Sequence, residues 1–410
     1  MPDQVANPVR QPGTVQGFTL LLVNTLVVMG VAVLTSVIPL MQDHFKAFPY
    51  SDYAVPVLMT VPALWIFLLS PAAGWLSDRI GRRPLLISSM VAYAVVGTMP
   101  IYLDDIYAIF ASRCGLGICE AILQTVATTM IGDYFSGRAR EKWLAANSAV
   151  ASLSVLVIIP LGGVLGSIFG WRGPFYAYIY SLILVAAVLL FTWEPSKADH
   201  AGEAEGATDA TYQRMPWLRI SSLCVLTLVF GIGFYAVLTQ NGNMLATLGV
   251  SQPAQIALLT MACSIGVPVG SFLYSRIVAR LHIGLLLFAA FALVGIGFWF
   301  MGHSERAIPY TCWAFVNQIG CGIALPALFV WTTRGLAHQI RGLGTGLWLA
   351  AFNFGQLGTA FVMPYLSRNL GGLANALSLL GELCLVIGVG AVVAKVFWGH
   401  RAYVHSSDSH

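Results

Sequence analysis

Twelve apolar stretches of about twenty residues or more, joined by short polar connections, run through this 410-residue chain. About 20 apolar residues in a helix are needed to cross a hydrocarbon core roughly 30 Å thick. Inside that core each backbone polar group must find its partner within the segment, so a stretch of this kind forms a helix. In the first half the stretches fall at about 17–41, 53–77, 84–103, 106–134, 143–168 and 174–193. In the second half they fall at about 216–247, 254–278, 283–301, 308–332, 342–367 and 373–397. Composition agrees: 58% of residues are hydrophobic and 9% are charged, where a soluble domain carries about 25% charged residues. The expected fold is an all-α membrane protein of twelve transmembrane helices in two pseudo-symmetric six-helix bundles.

The polar segments divide the chain further. Residues 1–16 read as an N-terminal tail, 17–193 as the first bundle, 194–215 as a linker, 216–397 as the second bundle and 398–410 as a C-terminal tail. The linker is rich in Ala, Gly, Asp and Glu and has no apolar periodicity, which is the composition of a flexible connection. Most of the 21 Lys and Arg residues fall on one side of the expected topology, together with both tails; Lys46, Arg172, Arg306 and Arg368 fall on the other. The positive-inside rule then puts both termini in the cytoplasm.

Several function classes are excluded at this stage. The outer connections are short and leave no room for a soluble catalytic domain. No phosphate-binding glycine loop and no metal-ligand spacing is present, so neither cofactor nor metal is expected, nor an enzyme. A net charge of +4 gives no nucleic-acid footprint. The seven cysteines lie in apolar stretches without paired spacing and read as small buried packing residues.

The connection after the second stretch reads Gly74-Trp75-Leu76-Ser77-Asp78-Arg79-Ile80-Gly81-Arg82-Arg83-Pro84. Gly74 permits close helix contact, Asp78 can face a helix N-terminus, Gly81 allows a tight turn, and the arginines can pair with a neighbouring carboxylate, for which Asp133 is the candidate. This run resembles the loop signature of the major facilitator superfamily. Gly170-Trp171-Arg172 and Ile340-Arg341-Gly342-Leu343-Gly344 support the same resemblance, which covers about residues 17–400. It implies the major facilitator fold, transport by alternating access, and a gating loop made of Gly74, Asp78, Arg79, Gly81, Arg82, Arg83 and Asp133.

The fourth stretch carries Arg113 and Glu120 in an otherwise apolar helix. A charge near the bilayer centre costs roughly 2.5–3.5 kcal/mol even on a lenient scale, so such groups face a partner or a cavity. Seven residues are close to two turns, which puts both on one face, about 10 Å apart along the axis and too far for a simple salt bridge. A carboxylate of this kind can serve as a proton site, or it can bond neighbouring helices. The pattern Arg-x-x-x-Gly-x-x-Glu-Ala resembles the corresponding helix of the anion:cation symporter and spinster-like branches. That resemblance implies proton coupling at Glu120, with Arg113 on the cavity wall. Those branches usually place an aspartate in the first helix; here the strongly polar group is Asn24. The drug:proton antiporter signature is matched imperfectly by Ile159-Pro160-Leu161-Gly162-Gly163.

The cavity candidates are Asn24, Arg113, Gln124, Thr128, Tyr235, Gln240, Asn241, Asn317, Gln318, Asn353 and Gln356. Each polar side chain among them can instead bond a neighbouring helix. Glu382 in the last stretch has no expected cavity to face. The expected protein is a monomeric secondary transporter in a bacterial inner membrane, working on a small organic solute and protons within the lipid bilayer. Symport of an organic anion on Arg113 and efflux of an amphipathic compound both stay open, with a non-transporting solute sensor behind them.

Overall fold

The structure is a computed structural model that describes residues 12–194, 215–278, 281, 283–334, 336 and 338–407, without the side chains of 338, 339, 341 and 391–407. Among these residues every regular element is helical. The first half contains α1 (Thr14–Ala32), α2 (Ile38–His44), α3 (Ser51–Ile80), α4 (Arg82–Thr98), α5 (Ile106–Tyr134), α6 (Gly137–Phe169) and α7 (Tyr180–Phe191). The second contains α8 (Trp217–Thr247), α9 (Pro253–Ser264), α10 (Gly266–Ile277), α11 (Ile283–Gly302), α12 (Ala307–Thr333), α13 (His338–Asn369) and α14 (Leu373–Ser407).

Ten segments of the described chain are long and apolar enough to cross a membrane. One of them, Gly137–Phe191, is 55 residues long. At 1.5 Å per residue that is about 80 Å of helix, more than two bilayer thicknesses. It turns back through a 3-10 segment, Gly170–Ile179, at whose start Gly170 has φ +65°. The 32-residue α13, where a further crossing was expected, is not among the ten.

The first apolar stretch is broken, which its hydropathy did not foretell. α1 stops at Ala32, a 3-10 turn runs over Thr35–Val37, and α2 restarts with Pro39 in its first turn. α3 stays helical through Pro56, Pro62 and Pro71. Of the linker expected over 194–215, residues 195–214 lie outside the described residues, as do the first eleven and last three residues of the tails. Glu194 itself is described and fixed in place, as shown below. The cysteine reading needs correction: Cys312 is exposed on α12, and Cys114 and Cys224 are only half-buried. An apolar stretch does not tell which face of its helix a residue occupies.

Buried apolar side chains gather in two clusters. One draws on α1 to α7 and the 3-10 segments between them, and reaches Ala257 of α9. The other draws on α8 to α14. Lipid tails are as apolar as these side chains, so close approach matters more than burial in joining such helices. Gly162 of α6 lies against the Val33 carbonyl at the break after α1, and Gly163 against Ala257 and the Pro253 carbonyl. The two clusters therefore touch where α6 meets α9. At the same end of the molecule Ser167 Oγ accepts from Ala254 N at 3.1 Å, and the Arg368 guanidinium meets the Asp52 carboxylate at 2.6 Å.

Candidate functional site

A cavity of about 290 Å³ lies between the two clusters. α1, α3, α5 and α6 form its wall on one side; α8, Ser264 of α9, Val267 of α10, α12 and α13 form it on the other. The wall is mainly apolar and includes Val27, Val31, Phe234, Leu349 and Phe352. Glu120 is its charged side chain; among the described residues no Lys, Arg or His lines it. Glu120 is 1% exposed, and its Oε1 has no hydrogen-bond partner. It sits against Gly30 of α1 so closely that a side chain at 30 would overlap that oxygen.

Arg113 is 1% exposed and is not on the cavity wall. Its Nε donates to the Leu58 carbonyl at 3.0 Å, its Nη1 to the Tyr178 hydroxyl at 2.7 Å, and its Nη2 to the Gly30 carbonyl. Arg113 and Glu120 thus reach Gly30 from two sides, without an ion pair between them.

The remaining candidates divide. Gln124, Tyr235, Gln318, Asn353 and Gln356 stand on the wall with Glu120. Asn24 does not: its Nδ2 donates to Asn147 Oδ1 at 2.8 Å and ties α1 to α6. Asn241 donates to Thr260 Oγ1 at 2.6 Å, and Asn317 to the Val294 carbonyl at 2.9 Å, so both bond helices to one another. Thr128 is half-buried on α5, outside the wall. Gln240 lines a separate pocket of about 420 Å³ beside Asp52 and Arg368, where its Oε1 accepts from Asn243 at 3.0 Å. Phe234, an aromatic candidate for the lining in the sequence, also stands on the wall, and the wall residues that the sequence did not single out are Ser152, Ser264 and the other apolar groups. A serine or phenylalanine in an apolar helix carries no mark of the direction it faces. Glu382 is exposed on α14 and lines none of the walls described here.

The loop after α3 is built around Gly81, whose φ is +103°. Arg82 reaches Asp133 at the end of α5 and lies 3.7 Å from Asp78. The Glu194 carboxylate caps the N-terminus of α4: it accepts from Arg82 N at 2.7 Å and Arg83 N at 2.8 Å. Arg83 also donates to the Leu189 carbonyl at 2.8 Å. These bonds tie the start of α4 to the end of α7. Among the described residues no three His, Cys, Asp or Glu side chains gather closely enough to hold a metal ion.

Comparison with known proteins places this architecture. The chain is 30% identical over 184 residues to the tetracycline resistance protein, class C, of Escherichia coli, a match that spans 44% of each chain and so less than half of that relative's length. Among solved structures it is similar to a bacterial homologue of the human lysosomal transporter Spinster in an inward-facing, unoccupied conformation. That similarity has a TM-score of 0.71 at 17% identity and covers 94% of this chain and 96% of the other. It is also similar to the nucleoside transporter NupG, with a TM-score of 0.74 at 11% identity over 92% of this chain and 99% of the other. At such identities these likenesses show the fold alone. The profile of the Major Facilitator Superfamily matches residues 20–357, and the chain belongs to that superfamily of multi-pass membrane transporters, whose fold carries out secondary transport.

Proposed function

We propose that this chain is a proton-coupled carrier of an amphipathic solute bearing a cationic or hydrogen-donating group, with Glu120 as the site where solute and proton exclude one another. The observation that carries this reading is the cavity wall itself. It is mainly apolar, and its charged side chain is one carboxylate with an unpartnered oxygen. An organic anion would meet no cation there, because Arg113 stands off the wall and bonds Gly30, Leu58 and Tyr178. Aromatic faces at Phe234, Tyr235 and Phe352 suit a cation and its apolar body.

The wider reading follows the same support. Twelve crossings in two six-helix bundles, with 194–215 as linker and both termini in the cytoplasm, fit the two apolar clusters and the lysine and arginine asymmetry. In this reading the carrier works as a monomer. The Gly81 loop, with Arg82 and Asp133, acts as a gate at the inner end. Outward transport across a bacterial inner membrane agrees with the name of the Escherichia coli relative, which speaks of tetracycline resistance.

The test is proton movement in proteoliposomes loaded with a pH-sensitive dye, challenged with tetraphenylphosphonium and, in parallel, with benzoate. Protons displaced by the cation in the wild type, and none displaced in Glu120→Gln, are the expected result. Apparent affinity for the cation weakens as pH falls, because protonation removes the charge that pairs with it. A response to benzoate alone would reverse the substrate class.

A further inference from the structure

One helix around Glu120 ends early and another carries an internal proline, and each feature strands a backbone oxygen. In an α-helix the amide of residue 62 bonds to the carbonyl of Leu58, but residue 62 is Pro62, which has no N–H. After α1 the pattern slips in another way. Val33 N bonds to the Met29 carbonyl and Leu34 N to the Val31 carbonyl, so the Gly30 carbonyl between them is passed over. An unbonded carbonyl in a membrane interior is costly, and only a protein donor can satisfy it there. The Arg113 guanidinium donates to both of these oxygens, and its third bond goes to the Tyr178 hydroxyl, which in turn donates to the Gly30 carbonyl at 3.4 Å. Its planar fork can serve several acceptors held at fixed angles, which a lysine ammonium on a flexible stem does less well.

We propose that Arg113 is a positioning residue: it fastens the break after α1 and the carbonyl freed by Pro62 in α3 to α5, and through Gly30 it sets where the Glu120 carboxylate stands. This rests on the reading of Glu120 as the coupling carboxylate. Gly30 is the shared element, since Arg113 holds its carbonyl while Glu120 presses on its α-carbon. The other titratable groups that face Glu120 are Tyr93 of α4, Tyr178, and Cys119 on its own helix, with Tyr235 across the cavity. α1 contributes none.

The role predicts an unusual rescue. Arg113→Lys keeps the charge but loses the fork. Pro62→Ala returns an N–H to the Leu58 carbonyl and removes one of the two demands on the side chain at 113. The full chain in dye-loaded proteoliposomes, with tetraphenylphosphonium as probe, gives the first readout. Arg113→Lys lowers cation-driven proton movement about tenfold and displaces its pH midpoint. The double variant Arg113→Lys, Pro62→Ala recovers to within about threefold of Pro62→Ala alone. The second readout is the thermal midpoint of the four proteins in detergent, where the two substitutions are non-additive. An Arg113→Lys protein as active as wild type, or strictly additive thermal shifts, overturns the proposal. If the Glu120 reading is the one at fault, the wild type itself shows no cation-linked proton movement, and the thermal cycle still decides the role of Arg113.

Discussion

Glu120 stands free in a crowded place because of what occupies the neighbouring position on α1. Gly30 leaves room for the carboxylate; any side chain there would overlap Glu120 Oε1. Overpacking of this kind typically costs about 1–3 kcal/mol, about five- to 150-fold in an equilibrium. We therefore expect Gly30→Ala to weaken tetraphenylphosphonium binding by about tenfold or more, measured by equilibrium dialysis of the purified protein. Glu120→Asp shortens the side chain by one methylene, so in the Gly30→Ala chain it should restore part of the loss. A Gly30→Ala protein with unchanged binding would mean that Glu120 moves aside freely. Glu120 was legible in the sequence because a carboxylate in an apolar helix demands a reason. The partners of Arg113 were not, because two of them are backbone oxygens freed by a helix end and by a proline elsewhere in the chain.

At the scale of a single element, α4 depends on a residue far away in sequence. Its first two amides bond to the Glu194 carboxylate, and the turn before it needs the positive φ of Gly81. A carboxylate at a helix N-terminus satisfies orphan donors and complements the dipole. Loss of such a cap typically costs about 0.5–2 kcal/mol. Glu194→Ala should accordingly lower the thermal midpoint, and Glu194→Gln, which keeps one acceptor oxygen, should lower it less. Equal shifts for the two would assign the effect to something other than capping. The composition after 193 predicts a flexible linker, and Glu194 is the residue at which that expectation fails. Local composition does not register a bond to a backbone 112 residues earlier.

Across the whole molecule, the end bearing Asp52 is closed. The Arg368–Asp52 pair, the Ser167–Ala254 bond and the contacts of Gly162 and Gly163 all join the two clusters there. The ion-pair side chains are 49% and 37% exposed, so the pair contributes in the range of exposed bridges, about 0.2–1 kcal/mol. Breaking it with Arg368→Ala should shift the balance toward opening of that end by no more than about fivefold. The measurement is labelling of an Ala246→Cys chain by a membrane-impermeant maleimide, with Cys312→Ser to silence the exposed native thiol. The charge swap Asp52→Arg with Arg368→Asp should return labelling to its starting rate. Glycine contacts set the remainder of the closure, so the single ion pair cannot hold that end alone.

The sequence by itself determined that this chain lives in a membrane as helices. It also marked the Gly81 loop as special, and Glu120 as a group whose burial needs explaining. Those conclusions rest on local properties: the length of an apolar run, the cost of a charge in hydrocarbon, the spacing of a short motif. Only the tertiary structure decided that Gln318, Asn353 and Gln356 share a wall with Glu120 while Asn24, Asn241 and Asn317 bond helices together. It also decided that Arg113 bonds the Leu58 and Gly30 carbonyls and stands off the cavity wall. The physical reason is that an amide or guanidinium is satisfied equally well by a solute or by a neighbouring helix, and which of them it meets depends on how the helices are turned and broken in space.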